Sequence, residues 1–153
     1  MSHHINLIRI KGVASALVEL KDDIAFVGGA TVSLYADHPE QTDTRPTDDI
    51  DVLVEIATYS AYTKLQERLR VLGFALDTEA KITCRYKYQG LIVDIMPTEE
   101  EVLGFKSRWY KEGFKHLQTY TSEHGIQIRI FPVAYFIASK LDAFNDRSSG
   151  DGW

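Results

Sequence analysis

The stretch Phe26-Val27-Gly28-Gly29-Ala30-Thr31, and after it Thr47-Asp48-Asp49-Ile50-Asp51-Val52-Leu53-Val54, decides how the rest of the chain is read; nineteen residues separate Gly29 from Asp49. Two adjacent glycines close one apolar run, and two aspartates open the next with an isoleucine between them. Side chains alternate faces along a strand, so Asp49 and Asp51 share one side while Ile50, Val52, Val54 and Ile56 take the other. Two carboxylates about 7 Å apart on one face repel each other unless a cation lies between them. Strand interiors also disfavour aspartate. A solvated edge strand with a polar face would account for the pair; so would a site of hard oxygen ligands suited to Mg²⁺ and phosphates. An EF-hand is excluded, because the glycine and terminal glutamate of that loop are missing. The glycine pair has two readings as well. It is a simple turn, or a place where absent Cβ atoms let a phosphate approach backbone N–H groups at a helix start.

The bulk properties set limits around this centre. A chain of 153 residues is most simply one domain, here residues 1–147, with 148–153 expected to be a flexible end. A hydrophobic content of 44% and a charged content of 25% are ordinary for a soluble globular chain. The net charge of −5 argues against a strongly basic nucleic-acid module while leaving room for a local basic patch. Cys84 is the single cysteine, so there is no internal disulfide and no Cys-based zinc site. No stretch is apolar enough to cross a membrane, and Met1-Ser2-His3-His4 lacks a signal-peptide core. A reducing cytoplasm is the expected location.

Outward from the centre, Ile10, Val13, Leu17 and Leu20 have the spacing of a helix face across residues 5–21. Ile24 to Val27 reads as a short buried strand, and Ala30 to Ala36 as a helix starting from the glycine turn. Residues 37–48 are polar, carry two prolines and read as an exposed loop. Asp49 to Ile56 is a strand. Ser60 is the expected cap of a helix whose Tyr62, Leu65, Leu69 and Leu72 share a face, with Gly73 as its stop. Phe74 to Asp77 is a short strand. Ile82 to Gln89 alternates, with Ile82, Cys84, Tyr86 and Tyr88 on one side and Thr83, Arg85 and Lys87 on the other. Gly90 turns the chain, and Leu91 to Ile95 returns as a strand with Asp94 opposite Leu91, Val93 and Ile95. Residues 99–116 are mixed and aromatic and receive no assignment. Trp109 and the nearby tyrosines suit packing, with base stacking as the other use. Leu117 to Thr121 and Ile126 to Phe131 read as a hairpin.

Pro132 suits the first turn of a last helix running to about Asp146. Val133, Phe136, Ile137, Leu141 and Phe144 form its apolar stripe, expected to face the core. At about 100° per residue Lys140 falls inside that stripe, and Arg147 near it. A lysine there needs an anionic partner or a route to water. It is either a snorkelling side chain or a phosphate contact.

Asp94 alone would pass for a cap or turn residue. Three carboxylates on neighbouring strands plus a glycine pair form a stronger set. They supply the ligands of a two-metal phosphoryl- or nucleotidyl-transfer site.

Gly28-Gly29, then Thr47-Asp48-Asp49-Ile50-Asp51-Val52, then Val93-Asp94-Ile95 resembles the signature of DNA polymerase β-type nucleotidyltransferases. Ser139-Lys140-Leu141-Asp142-Ala143-Phe144, followed by Arg147 and Asp151, is similar to small bacterial nucleotidyltransferases of the AbiEii type, the toxin half of some toxin–antitoxin pairs. The resemblance covers roughly residues 20 to 151 and is specific as a set. It implies an α+β fold, a minimal mixed sheet flanked by helices. It implies transfer of a nucleoside monophosphate from an NTP to a hydroxyl, on RNA such as a tRNA end or on protein, with release of pyrophosphate. It implies two Mg²⁺ ions, or Mn²⁺ in their place, and a cognate antitoxin as partner. By matching position, Asp49 and Asp51 would hold both ions, and Asp94 would complete the catalytic one and help deprotonate the attacking hydroxyl. Gly28, Gly29 and Thr31 would hold the triphosphate, and Lys140 would neutralise phosphate charge, with Arg147 and Arg45 as weaker candidates.

Two departures from the family stand out. The interval between Gly29 and Asp49 is longer than in the tightest versions of the motif, which suggests a specialised loop. AbiEii-like chains usually continue into further helix past the residues matching Lys140 and Arg147, whereas this one stops at Trp153. Two alternatives therefore accompany the enzyme reading. One is a catalytically silent nucleotide-binding or interaction module, favoured by that early stop and disfavoured by the intact aspartate set. The other is a small-molecule acceptor, as in antibiotic-modifying relatives.

Overall fold

A strand buried at every position needs cover on both faces, and Ile24–Val27 (β1) is such a strand. It lies near the middle of a single sheet in a computed structural model that describes residues 2–35, 49–56, 58–80, 84–98, 108–122 and 125–148. The other strands are β2 (Asp49–Val54), β3 (Ala75–Leu76), β4 (Arg85–Tyr88), β5 (Leu91–Pro97), β6 (Gln118–Thr121) and β7 (Gln127–Ile130). Among the described residues they form one seven-stranded mixed sheet, in the order β3-β4-β5-β2-β1-β7-β6. The helices are α1 (Ser2–Ala16), α2 (Tyr59–Val71), α3 (Arg108–Phe114) and α4 (Val133–Ser148), joined by short 3-10 segments at Val18–Leu20 and Gly29–Tyr35. This is the α+β arrangement, a mixed sheet flanked by helices, that the sequence leads one to expect.

The pleat sorts the sheet residues into two cores. On one face Phe26, Ile50, Val52, Val54, Val93, Ile95, Ile128 and Ile130 pack against Ile10 and Val13 of α1, against Leu17 just after it, and against Tyr62, Leu65 and Leu69 of α2. On the other, Ala25, Val27, Leu53 and Phe131 meet Phe114 and Tyr110 of α3 and Tyr135 of α4. Asp49 and Asp51 alternate with Ile50 and Val52, so they fall on this second face.

Register then fixes the site. β2 runs antiparallel to β1, with Asp51 opposite Val27. β2 runs parallel to β5, with Asp51 opposite Asp94. β4 and β5 form a hairpin through Gln89 and Gly90, both at positive φ. Two such residues are what a type I′ hairpin turn demands. The turn pairs Tyr88 with Leu91, and by counting back it pairs Arg85 with Asp94.

Several expectations need correction. α2 is capped by Thr58, whose Oγ1 accepts a hydrogen bond from the Ala61 N–H at 3.1 Å. Thr58 has the extended backbone of a cap, whereas Ser60 lies inside the first turn. Gly73, at φ +101°, ends the helix as expected. The helix after the glycine turn is a 3-10 segment. Both the N–H and the Oγ1 of Thr31 donate to the Gly28 carbonyl, at 3.1 and 2.8 Å, and that favours three-residue spacing.

Of the apolar stripe expected to turn α4 inward, only Phe136 does so; the rest faces outward. Val133, Ile137, Leu141 and Phe144 are exposed, Phe144 at 63%. The inward side carries Tyr135, edge-on to Trp109 and stacked on His116, beside Phe136, set against Tyr35. These rings join α4 to α3 and the turn after it, and to the 3-10 segment, through aromatic pairs. Lys140 and Arg147 belong to α4, but their side chains lie outside the described residues. So do the loop at 37–48 with Arg45, the segment at 99–107, and the end at 149–153.

Candidate active site and metal centre

Three carboxylates converge. Asp49 and Asp51 stand one turn of the pleat apart at the start of β2, and Asp94 stands beside Asp51 on β5. One ligand oxygen from each lies within 4.8 Å of the others. That spread is close to the roughly 4.2 Å between opposite oxygens around an octahedral Mg²⁺. Asp94 is buried, at 5% exposure, while Asp49 and Asp51 remain partly open to solvent. The Asp49 carboxyl is pushed above the usual carboxylate range, first by burial and then by the negative charge of Asp94. A set of hard, mutually repelling oxygens of this spread fits a divalent cation.

Gly28 sits against the cluster because Val27 pairs with Asp51. Its φ is +84°, and a Cβ built there would collide with the Asp51 carboxylate. The missing side chain is thus required twice, by the backbone and by the aspartate. Thr31, fully buried, ties the Gly28 carbonyl down. Gly29 opens the 3-10 segment beside it. Of the two uses expected of the glycine pair, a turn or room for a phosphate, Gly28 serves the turn, and the room left by its absent Cβ is filled by Asp51.

A cationic side chain that the sequence does not single out, Arg85, joins the cluster. Arg85 Nε donates to Asp94 Oδ1 at 2.9 Å and Arg85 Nη2 to Asp94 Oδ2 at 3.0 Å. The same Nη2 lies 3.7 Å from Asp49 Oδ2. Pairing with Asp94 drives the guanidinium further toward its charged form. The signal for this contact was present in Gln89-Gly90, since the two-residue turn sets the register that places Arg85 opposite Asp94.

Two further groups feel the carboxylates. Burial, then the Asp94 charge, pushes the Cys84 thiol up to about 12, so it stays protonated as a core residue. Burial, then the Asp51 charge, pushes up the Tyr110 phenol on α3. A cavity of about 470 Å³ lined by Ala14, Val18, Phe26, Thr119 and Ile128 lies on the α1 side of the sheet, away from this chemistry.

The geometry now has a counterpart among known proteins. The family described as nucleotidyl transferase AbiEii toxin, type IV TA system, matches residues 13–151. The chain belongs to that family. A search of curated proteins returns no match. The AbiEii family implies a nucleotidyltransferase toxin of a toxin–antitoxin system, with a nucleotide substrate and an antitoxin partner. The aspartate cluster is a place where such an enzyme could hold a metal. Among the described residues no helix is long and apolar enough to cross a membrane.

Proposed function

We propose that the protein is a cytoplasmic, Mg²⁺-dependent nucleotidyltransferase that moves a nucleoside monophosphate from an NTP to a hydroxyl on RNA, such as a tRNA end, or on protein. The observation that carries this reading is the convergence of Asp49, Asp51 and Asp94 on one sheet face, with ligand atoms within 4.8 Å. Residues 1–147 act as one catalytic domain. Asp49 and Asp51 hold the divalent cation, and Asp94 completes the set. Bound Mg²⁺ supplies charge neutralisation for the triphosphate and the departing pyrophosphate. The acceptor oxygen attacks the α-phosphorus, the bond to the β-phosphate oxygen breaks, and pyrophosphate leaves with that electron pair. Asp94 takes the hydroxyl proton. Gly28, Gly29 and Thr31 shape the triphosphate end of the cleft, and Lys140 and Arg147 add positive charge there.

A silent nucleotide-binding module has one observation in its favour: Arg85 already engages both oxygens of Asp94. One experiment separates the readings. The protein is incubated with each α-labelled NTP, Mg²⁺ and total RNA, beside Asp51→Asn. Label transfer to RNA that disappears in Asp51→Asn is expected. Transfer to protein or to a small acceptor instead would relocate the acceptor. No transfer with calorimetric NTP binding intact would favour the silent module, and absence of both would sink the nucleotide reading.

A further inference from the structure

Arg85 reaches Asp94 through two parallel N–H···O bonds, from Nε and from Nη2. This fork geometry uses well-directed lone pairs of both carboxylate oxygens at once. The same guanidinium stands 3.7 Å from Asp49. A single positive charge therefore touches two of the three carboxylates that the proposed function assigns to a divalent cation. Two consequences follow from Coulomb's law. Without a metal, Arg85 offsets repulsion that the cluster would otherwise suffer. With a metal arriving, a fixed charge so close to its ligands opposes it, and Asp94 must share or surrender its oxygens. Arg85 is a quarter exposed, so its head group has water on one side to retreat into.

We propose that Arg85 is the resident counter-ion of the carboxylate cluster, competing with the divalent cation for Asp94 and so setting the metal concentration at which the site fills. Arg85 is a positioning residue and acts through Asp94. The inference rests on reading the cluster as a metal site.

The test is calorimetric titration of the nucleotide-free protein with MnCl₂, on wild type, Arg85→Lys and Arg85→Met, with thermal melts in EDTA and in Mn²⁺. Arg85→Met is expected to melt below wild type in EDTA, to bind Mn²⁺ roughly tenfold more tightly, and to gain more melting temperature from Mn²⁺ than wild type does. Arg85→Lys, keeping the charge without the fork, falls between. A merely structural arginine gives the opposite metal result, because loss of Asp94 alignment weakens binding. Mn²⁺ affinity in Arg85→Met equal to or weaker than wild type therefore overturns the proposal. If Arg85→Met does not fold without metal, the comparison passes to Arg85→Lys and to the wild-type ¹⁵N signal of Arg85 Nε–H, assigned by its loss in Arg85→Lys. That signal shifts as Mg²⁺ saturates the site, and its failure to shift overturns the proposal. Equal binding by all three proteins removes only the role of Arg85. No divalent binding by any of them removes the metal reading as well.

Discussion

Gly28 concentrates two demands at one Cα. The positive φ makes any L side chain strained, and the Asp51 carboxylate occupies the volume a methyl would need. Gly28→Ala should destabilise the fold by about 1–3 kcal/mol and displace Asp51, weakening Mn²⁺ binding at the same time. Urea melts and a Mn²⁺ titration check the two halves, and an unperturbed titration would show that Asp51 is not held by this contact. What the residues alone revealed here was uneven for a physical reason. Asp49 and Asp51 could be paired because strand alternation is local. The reason for Gly28 could not, because its neighbour is set by the β1–β2 register, which involves residues far along the chain. Arg85 lay between these cases. A positive-φ turn at Gln89-Gly90 fixes its partner within the hairpin, so the pair is legible only once the turn's two-residue length is known.

At the scale of elements, local rules worked where one element was at stake and failed where two had to fit. The hairpin of β6 and β7, the helix over residues 59–71 and its stop at Gly73 follow from turn chemistry and periodicity. The cap shifted by two positions, since Thr58 has the extended backbone and the reachable Ala61 N–H. Thr58→Ala should therefore cost about 1 kcal/mol, while Ser60→Ala should leave the melting temperature nearly unchanged. Equal losses in both variants would return the cap to Ser60. The orientation of α4 was not legible, because a hydrophobic stripe states only that one side is apolar. Which side is buried depends on Trp109 and His116, from α3 and the turn after it, and on Tyr35 of the 3-10 segment, which choose Tyr135 and Phe136.

In the whole molecule the sheet order was the hidden part. β1 is joined to β7 by a parallel pairing with Phe26 opposite Ile130, and no short-range signal links segments so distant. The molecule also carries a titration signature that belongs to no single site. The phenols of Tyr35, Tyr62, Tyr86 and Tyr110 and the thiol of Cys84 are all pushed up by burial. In the unfolded chain they return to ordinary values, 10.0 for the phenols and 9.0 for the thiol. The unfolded chain then sheds protons first as pH rises, so this stabilisation is complete below about pH 9 and is lost as pH climbs through the raised folded values, about 12 for Cys84. Thermal melts should be flat in this respect up to pH 9 and fall steeply beyond it. A melting temperature that held through pH 11 would contradict the burial of these groups.

The parallel pairing of β2 with β5 has a consequence during synthesis. Asp51 meets Asp94 only after α2, β3 and β4 have been made and the chain has crossed back. Parallel, long-range strand contacts are slow to form, and the N-terminal part of a nascent chain emerges first. On a ribosome the growing polypeptide can display Asp49 and Asp51 but cannot close the three-carboxylate cluster until β5 is free of the exit tunnel. Any chemistry that needs all three carboxylates therefore belongs to a chain whose β5 has already emerged and paired with β2.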